Sequence, residues 1–520
     1  MVIATSRERF FTPSTIERPR RMHSAPWTAC RARREKKCQS CTGRAARSSQ
    51  EELHKWSEKV TSRYVLQDFL KMCVQNRHGE LAFAILEDIR LDDARMQLEA
   101  ADYSLGISSC ARSKLWQRAL RLFAVMPKAA VQQNVITYSA AISACEKGGQ
   151  WQTALSLLSG MVQAKVQPNV FSYNAAISAC EKGNQWLQGL TLFEMMRESS
   201  PQPDVFSYSA VISACEKSGQ WQQALKLLGG MFEDQVQPNL VSYNAAISAF
   251  EKGGQWQLGL SVLMAMYEEK FQPDILSYSA AISGCEKAKK WQQAMLLFEA
   301  ISLAKLSPNT MACNTAMRAC GKSEQYLHAL VLFDAMPKTQ VQQDVISYSA
   351  VISACEKGWQ WQQALHLFEA MPEASIQPDV ITYSATISAC EQLGQWQQAI
   401  WLFHAMTRTD DKPDVICYNT TISACEKGGH WQGALMLFNA MSDKQVQQTV
   451  ISYNAAISAY AKGGQWQKAW SLFEAMPKSE LAPDMISFIA FFDNPAIQNG
   501  QIGSPFFEQC QCHCFLLQNL

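Results

Sequence analysis

A strict period of 35 residues dominates the sequence and limits the folds open to it. Eleven consecutive repeats fill residues 100–484, about three quarters of the 520-residue chain, without an insertion or a deletion. We number the positions of each repeat as places 1–35, so that residues 135–169 read VITYSAAISACEKGGQWQTALSLLSGMVQAKVQPN. Self-similarity at a fixed period of this size is typical of solenoid proteins, in which each repeat is one supersecondary unit.

Each repeat predicts two amphipathic helices. In residues 135–169, the first helix has its apolar residues at the i, i+3, i+4 and i+7 spacing of one face: Tyr138, Ala141, Ile142 and Cys145. Gly148 and Gly149 are expected to end this helix. The second apolar face comprises Trp151, Ala154, Leu155, Leu158 and Met161, and Pro168 closes the repeat. Neither helix can bury its face alone, so the sequence predicts an all-α solenoid of stacked helix pairs.

Two further places indicate a packed core. Cysteine recurs at place 11 of nine repeats: Cys110, Cys145, Cys180, Cys215, Cys285, Cys320, Cys355, Cys390 and Cys425. Phe250 and Tyr460 occupy this place in the other two repeats. Because an aromatic residue can replace them, we interpret these cysteines as small buried apolar residues in a reducing compartment. Place 17 is Trp in ten repeats and Tyr326 in the remaining one, which also indicates core packing.

The residues outside the eleven repeats fall into three predicted segments. Residues 1–62 form a basic leader that we expect to be disordered, residues 63–99 a degenerate repeat, and residues 485–520 a partial repeat and C-terminal tail. The degenerate repeat keeps the pattern at Cys73, Ala82 and Ile89. No apolar run reaches the roughly 18 residues of a membrane span, so no membrane partner is expected.

The charge of the chain is unevenly distributed. Residues 1–50 hold ten Arg and two Lys against three Glu, a net +9, whereas the whole chain is at +1, so the remainder carries −8. A positively charged, acid-poor leader resembles an organelle transit peptide. A disordered basic arm and a misplaced start codon are the alternatives. No apolar stretch follows the first charges, which argues against a secretory signal.

The repeat motif itself indicates a family. Repeats open with V-I-[ST]-Y-[NS], carry A-C-E-K-G at the end of the first helix, and close with Q-P-[DN]. A tetratricopeptide repeat would instead place Trp and Leu-Gly early in its first helix. The motif resembles that of the pentatricopeptide repeat family with P-type 35-residue repeats. The resemblance implies a right-handed superhelix that binds single-stranded RNA, one base to each repeat.

The resemblance also implies which places contact RNA: an aliphatic residue at place 2 wedges between bases, and places 5 and 35 read them. The implied base-reading pairs are Ser104 with Asn134, Ser139 with Asn169, Ser209 with Asn239 and Ser279 with Asn309 for adenine; Asn174 with Asp204, Asn244 with Asp274, Asn314 with Asp344 and Asn454 with Asp484 for uracil; Ser349 with Asp379 and Ser384 with Asp414 for guanine; and Asn419 with Thr449 for a pyrimidine. The preferred RNA is then close to 5'-AAUAUAUGGYU-3'.

The side-chain chemistry agrees with these assignments, although each place has a structural alternative. An acceptor-only Asp suits the two donors of guanine, and the mixed amide of Asn suits adenine or uracil. Alternatively, Asn or Asp at place 35 is a helix N-cap, and place 5 tolerates any small polar residue. Because variation is concentrated at place 5 while its neighbours hardly change, we favour base reading.

Place 13 carries a row of positive charges that the resemblance implies for RNA phosphate contact. These residues are Arg112, Lys147, Lys182, Lys217, Lys252, Lys287, Lys322, Lys357, Lys427 and Lys462, with Gln392 interrupting the row. The alternative is an ion pair of each Lys with the adjacent Glu, as in Glu146 and Lys147, near the negative end of the helix dipole.

No enzyme activity, cofactor or metal is expected. Family members that cut or edit RNA carry added nuclease or deaminase domains. The deaminase motif H-x-E is met only by His78 to Glu80, without its cysteine half, and we interpret it as coincidence. Two cysteine groups have spacing that is incomplete or unsuitable for a metal site: Cys38 with Cys41, and Cys510, Cys512 and Cys514 with His513.

The sequence therefore predicts sequence-specific binding of single-stranded RNA in organellar RNA processing, stability, editing or translation, by a monomer that can recruit RNA-processing proteins. A chloroplast is favoured over a mitochondrion, and a cytoplasmic location is expected if the leader is not a transit peptide. The alternative function is a protein-binding helical scaffold. A peptide groove should vary along many inward places, whereas here the variation is concentrated at places 5 and 35.

Overall fold

A computed structural model describes residues 63–91, 97–199, 201–409 and 412–476, together with residues 481 and 487. These residues form twenty-four α-helices and two short 3-10 helices, and no strand occurs among them. The predicted all-α fold is confirmed. The chain divides into two compact units, Met1–Pro168 and Asn169–Leu520.

Helices alternate regularly in both units. In the first unit the α-helices are Arg63–Asn76, Gly79–Leu91, Ala100–Arg112, Trp116–Val125, Val135–Lys147 and Trp151–Gln163. In the second unit they are Val170–Lys182, Trp186–Glu198, Val205–Lys217, Trp221–Glu233, Leu240–Lys252, Trp256–Glu268, Ile275–Lys287, Trp291–Leu303, Thr310–Lys322, Tyr326–Ala335, Val345–Lys357, Trp361–Glu373, Val380–Gln392, Trp396–Met406, Val415–Lys427, Trp431–Asp443, Val450–Lys462 and Trp466–Ala475. We call the helix that begins at place 1 helix A and the one that begins at place 17 helix B.

Local sequence explains where helix A ends. In residues 135–169, helix A ends at Lys147, Gly148 follows it, and Gly149 has a left-handed backbone with φ of 68°. Glycine adopts this conformation without strain, and helices commonly end on such a residue. Trp359 takes the same turn at place 15 of another repeat with φ of 61°. The predicted stop at the glycine pair is confirmed.

The helices stack in the order of the chain. Within each unit, helix A packs against helix B of its own repeat and against helix A of the next repeat, and helix B also contacts that next helix A. The residues buried in residues 135–169 include most of the predicted faces: Tyr138, Ala141, Ile142, Cys145, Ala154, Leu158 and Met161. Apolar burial of this kind is the main favourable term in folding, and stacking makes it continuous along each unit.

Aromatic residues join successive repeats. Phe193 at place 24 meets Tyr208 at place 4 of the next repeat edge to face, with ring centroids 4.6 Å apart. Trp221 at place 17 is half-buried against Gly253 at place 14 of the next repeat. A Cβ added at Gly253 would lie 2.3 Å from Trp221 Cδ1. The Trp221 ring therefore fits at this joint because glycine has no side chain. Place 17 therefore packs at the joint between repeats, half-buried, and not in the buried core that its pattern predicted.

The cysteines at place 11 are buried, and none of the cysteines in the described ranges forms a disulfide. Burial raises the pKa of Cys390 to about 12, so its thiol stays protonated and unreactive at neutral pH. In residues 63–91, Cys73, Ala82 and Ile89 are buried between two helices. Among the described helices, none combines the length and apolarity that crossing a bilayer would take.

Candidate nucleic-acid interface

Each described residue at place 35 is the N-cap of the following helix A. Its side-chain oxygen accepts a hydrogen bond from the backbone N–H at place 3 of the next repeat, at 2.7 Å for Asp344 and 3.4 Å for Thr449. The capping residues are Asn134, Asn169, Asp204, Asn239, Asp274, Asn309, Asp344, Asp379, Asp414 and Thr449. Capping uses one oxygen of each side chain, which leaves a second polar atom on each Asn and Asp but none on Thr449. Asp484 lies outside the described residues.

Places 5 and 35 come together wherever place 5 is asparagine and both residues are described. Asn Nδ2 donates to the place-35 oxygen at 3.0 Å in Asn174–Asp204, 3.1 Å in Asn244–Asp274, 3.2 Å in Asn314–Asp344 and 3.3 Å in Asn419–Thr449. These contacts hold two proposed base-reading side chains in one polar group. Asn454 contacts Ser487 at 2.6 Å, and its place-35 partner Asp484 lies outside the described residues.

Serine at place 5 behaves differently because its hydroxyl donates to the backbone of its own helix. The acceptors are the carbonyl oxygens of place 1 or place 2, for Ser104, Ser139, Ser209, Ser279, Ser349 and Ser384. Ser209 Oγ also lies 3.4 Å from Oδ1 of Asn239, its place-35 partner. The shorter serine side chain therefore leaves room that the asparagine fills.

Hydrogen bonds keep the carboxylate of Asp344, at place 35, charged. Burial by itself would raise the pKa of Asp344, but hydrogen bonds from the Ser347 hydroxyl and backbone N–H and from Asn314 outweigh it, and the pKa is lowered. At neutral pH the group is an acceptor only, which fixes the direction of every hydrogen bond it makes.

A row of exposed apolar side chains accompanies these polar groups at place 2. The residues are Ile136, Phe171, Phe206, Val241, Leu276, Met311, Ile346, Ile381, Ile416 and Ile451, and their relative exposure ranges from 54% to 76%. Single exposed apolar residues are ordinary on protein surfaces, but a row that recurs every 35 residues indicates a binding surface. Each lies three residues before place 5 on the same helix.

The lysines at place 13 pair with a glutamate of the preceding repeat. Nζ lies 2.8–3.1 Å from the place-12 glutamate carboxylate, 36 residues earlier, in the pairs Lys217–Glu181, Lys252–Glu216, Lys287–Glu251, Lys322–Glu286, Lys427–Glu391 and Lys462–Glu426. Pairing with the adjacent glutamate, the alternative raised by the sequence, is seen at Lys357 with Glu356. Arg112 Nη1 lies 3.5 Å from Val74 O.

These ion pairs connect one helix A to the helix A of the preceding repeat. The same glutamates accept a hydrogen bond from the residue at place 9 of the next repeat. For example, Ser248 Oγ donates to Glu216 Oε1 at 3.0 Å. The exposed Nζ atoms in these pairs still have N–H groups that can donate to a phosphate. The paired glutamate carboxylates, however, already neutralise part of their positive charge. Lys147 and Lys357 have Ala111 and Gly321 at the position where the others find glutamate.

Family models match the repeat region almost end to end. The PPR repeat family matches residues 133–182, 168–217, 203–250, 308–357, 343–392 and 448–494. The pentatricopeptide repeat domain matches residues 261–323 and 401–463, and the PPR repeat matches residues 241–271 and 381–409. Together these matches run from residue 133 to residue 494. The chain belongs to the pentatricopeptide repeat family.

Solved structures of the family resemble this pentatricopeptide repeat protein at low identity. The pentatricopeptide repeat protein PPR10 from maize matches with a TM-score of 0.49 and 19% identity over 84% of this chain and 76% of that chain. PPR10 in complex with an 18-nt psaJ RNA element matches with a TM-score of 0.39 and 20% identity, over 86% and 74%. The PPR domain of Arabidopsis thaliana protein-only RNase P 1 in complex with tRNA matches at 0.27 and 16%, over 32% and 94%. The curated proteins contain no match.

Within the described residues of this pentatricopeptide repeat protein, no three His, Cys, Asp or Glu side chains are grouped so as to hold a metal ion. Cys38, Cys41 and the group around His513 lie outside the described residues. One polar participant was not predicted from the repeat motif, the hydroxyl at place 3. Its signal was present in the sequence, because serine stands at place 3 of the repeat after every place-5 asparagine.

Proposed function

We propose that this pentatricopeptide repeat protein binds single-stranded RNA in a sequence-specific manner, one repeat to one base, with a preferred sequence close to 5'-AAUAUAUGGYU-3'. The observation that carries the proposal is the exposed apolar row at place 2, accompanied in each repeat by the polar residues of places 5 and 35. Family membership supports the proposal.

Each repeat supplies the contacts that unpaired bases need. Exposed apolar side chains pack against base faces, and base edges are recognised by hydrogen bonds, as in other single-strand readers. Place 2 offers the apolar contact, and places 5 and 35 offer donors and acceptors that vary between repeats. The place-13 row offers positive charge for phosphates, reduced by its ion pairs.

We extend the proposal to the role of the complex. A monomer occupying a transcript can block a nuclease, expose a ribosome site or recruit an editing or splicing factor, and none of these roles requires an active site in this chain. The Arg-rich composition of residues 1–50 and the family motif support action in an organelle, with a chloroplast favoured over a mitochondrion.

Competition binding tests the proposal directly. We expect 5'-AAUAUAUGGUU-3' to bind the full chain at least about tenfold more tightly than a scrambled RNA of the same composition, since each mismatched position costs about 1 kcal/mol or more. Equal affinity for the two RNAs would refute base reading. Binding of a peptide library member in place of either RNA would favour the scaffold function.

A further inference from the structure

A serine hydroxyl completes the polar group around every place-5 asparagine. Ser Oγ at place 3 of the next repeat lies against Asn Oδ1 at 2.5 Å in Ser207–Asn174, 2.8 Å in Ser347–Asn314, 2.6 Å in Ser452–Asn419 and 2.6 Å in Ser487–Asn454. Ser277 contacts Asn244 in the same way. On its other side the asparagine amide faces place 35 in four of these groups.

The sequence couples the two places. After the five asparagines, place 3 of the next repeat is always serine: Ser207, Ser277, Ser347, Ser452 and Ser487. After the six serines at place 5 it is Thr137, Ser172, Ser242, Ala312, Thr382 or Cys417. Place 3 therefore carries a hydroxyl after every place-5 asparagine, but lacks one after two of the six place-5 serines.

Helix capping does not require this hydroxyl. The backbone N–H of Ala312 donates to Asn309 Oδ1 at 2.8 Å, and that of Cys417 donates to Asp414 Oδ1 at 2.8 Å. The side-chain bond of the cap therefore forms where place 3 is alanine or cysteine, and a hydroxyl there adds only the reciprocal bond from the N-cap backbone N–H, as from Asp274 N to Ser277 Oγ at 3.3 Å. Beside the asparagines the serine makes a further contact, to Asn Oδ1.

Hydrogen-bond directions explain this further contact. The carboxylate of Asp204 only accepts, so Asn174 must turn Nδ2 toward it, which puts Oδ1 on the side of Ser207. An oxygen there needs a donor, and the Ser207 hydroxyl is one, with its single hydrogen between Asn174 Oδ1 at 2.5 Å and Asp204 Oδ1 at 2.9 Å. With both partners in place, one Nδ2 hydrogen and one Oδ1 lone pair remain. That pair matches the acceptor and the N–H on the pairing edge of uracil.

We infer that the hydroxyl at place 3 of the following repeat is a positioning residue for the base-reading asparagine. A uracil reader is then a group of three side chains spread over two repeats. The inference rests on the proposed function, because its effect appears as base preference. It also predicts that an asparagine placed before a residue without a hydroxyl reads uracil poorly.

Repeat 9, residues 380–414, allows this to be tested by gain of function. Ser384 is followed by Cys417 at place 3, so Ser384→Asn alone creates an asparagine without its hydroxyl. The probes are 5'-AAUAUAUGGUU-3' and the same RNA with U as its ninth letter. For the double variant Ser384→Asn, Cys417→Ser we expect the U-to-G affinity ratio at this letter to rise about tenfold. Ser384→Asn alone should raise the U-to-G affinity ratio several-fold less than the double variant does. Cys417→Ser alone should leave this ratio unchanged.

Loss of the hydroxyl provides the matched experiment. Ser277 and Ser172 each accept from the backbone N–H of their N-cap residue, but only Ser277 follows an asparagine at place 5. Ser277→Ala should reduce discrimination for U at the fifth letter several-fold, and Ser277→Thr should restore it. Ser172→Ala should leave discrimination at the second letter unchanged while costing similar thermal stability.

The outcomes separate this inference from the proposed function. If the unmodified protein binds cognate and scrambled RNA equally, the proposed function and this inference both fail. If it discriminates, but Ser384→Asn shifts preference as fully without Cys417→Ser as with it, only the positioning role is refuted. Equal effects of Ser277→Ala and Ser172→Ala on base discrimination would refute it as well.

Discussion

Individual side chains at place 5 carry the expected base preference, and Ser349 offers the simplest change. Ser349→Asn would give its repeat the Asn–Asp pair seen at Asn174 and Asp204, and Thr382 supplies a hydroxyl at place 3 of the next repeat. We expect preference at the eighth letter to move from G toward U by about 1 kcal/mol, with the other letters unaffected. Competition between RNAs that differ only at that letter measures the change.

Lys357 in the same repeat is the control for this prediction. Lys357→Ala should weaken every RNA about equally and reduce the salt dependence by a fraction of one ion, because a phosphate contact carries no sequence information. Titrations at two salt concentrations test this. If Lys357→Ala alters base preference while Ser349→Asn weakens all sequences alike, places 5 and 13 have been assigned the wrong roles.

The residues that vary between repeats could be found from the sequence, but several of their contacts could not. The period places Lys252 at the end of helix A, yet its partner Glu216 is 36 residues earlier. That pairing depends on how far successive A helices are displaced along each other, which the sequence period does not specify. The same holds for Ser277 and Asn244, whose contact crosses from one repeat to the next.

At the scale of helices, the joint between Trp221 and the next repeat depends on the absence of a side chain at Gly253. Gly253→Ala should destabilise the protein by about 1–3 kcal/mol, because the new Cβ would overlap the Trp221 ring. Gly229→Ala is the matched control: it lies inside helix B with nothing within 4 Å of an added Cβ, and should be neutral or stabilise by up to about 1 kcal/mol. Urea unfolding of both variants tests the contrast, and equal effects would contradict it.

Helix boundaries were largely predictable, whereas the contacts between helices were predictable only in part. Gly149 signalled the end of helix A because glycine adopts the left-handed turn without strain, although Trp359 and four other non-glycine residues take the same turn at place 15. Place 35 predicted an N-cap because Asn, Asp and Thr side-chain oxygens accept hydrogen bonds from the first N–H groups of a helix. Trp221 looked like an ordinary core residue, but it is half-buried against the next repeat, a position that only packing between repeats determines.

For the molecule as a whole, the regular period makes repeats interchangeable. Within each unit a repeat contacts mainly its neighbours, so stability is close to a sum of repeat and interface contributions. Removing residues 345–379 joins Asp344 to Val380, and Asp344 can then cap the helix that Asp379 caps now. Thr382 would supply the place-3 hydroxyl that Ser347 gives to Asn314. Both local requirements, the N-cap and the place-3 hydroxyl, survive the deletion.

This deletion should therefore fold and lose one letter of its RNA. We expect it to prefer 5'-AAUAUAUGUU-3' over 5'-AAUAUAUGGUU-3', the reverse of the unmodified protein, because a wrong letter costs about 1–3 kcal/mol. Circular dichroism melts and competition binding measure folding and preference separately. Deletion of residues 345–362 is the control, since half a repeat destroys the register and should unfold the neighbouring helices. If the 35-residue deletion unfolds as readily as this control, the repeats are not independent modules. If it folds but still prefers the longer RNA, one repeat does not read one base.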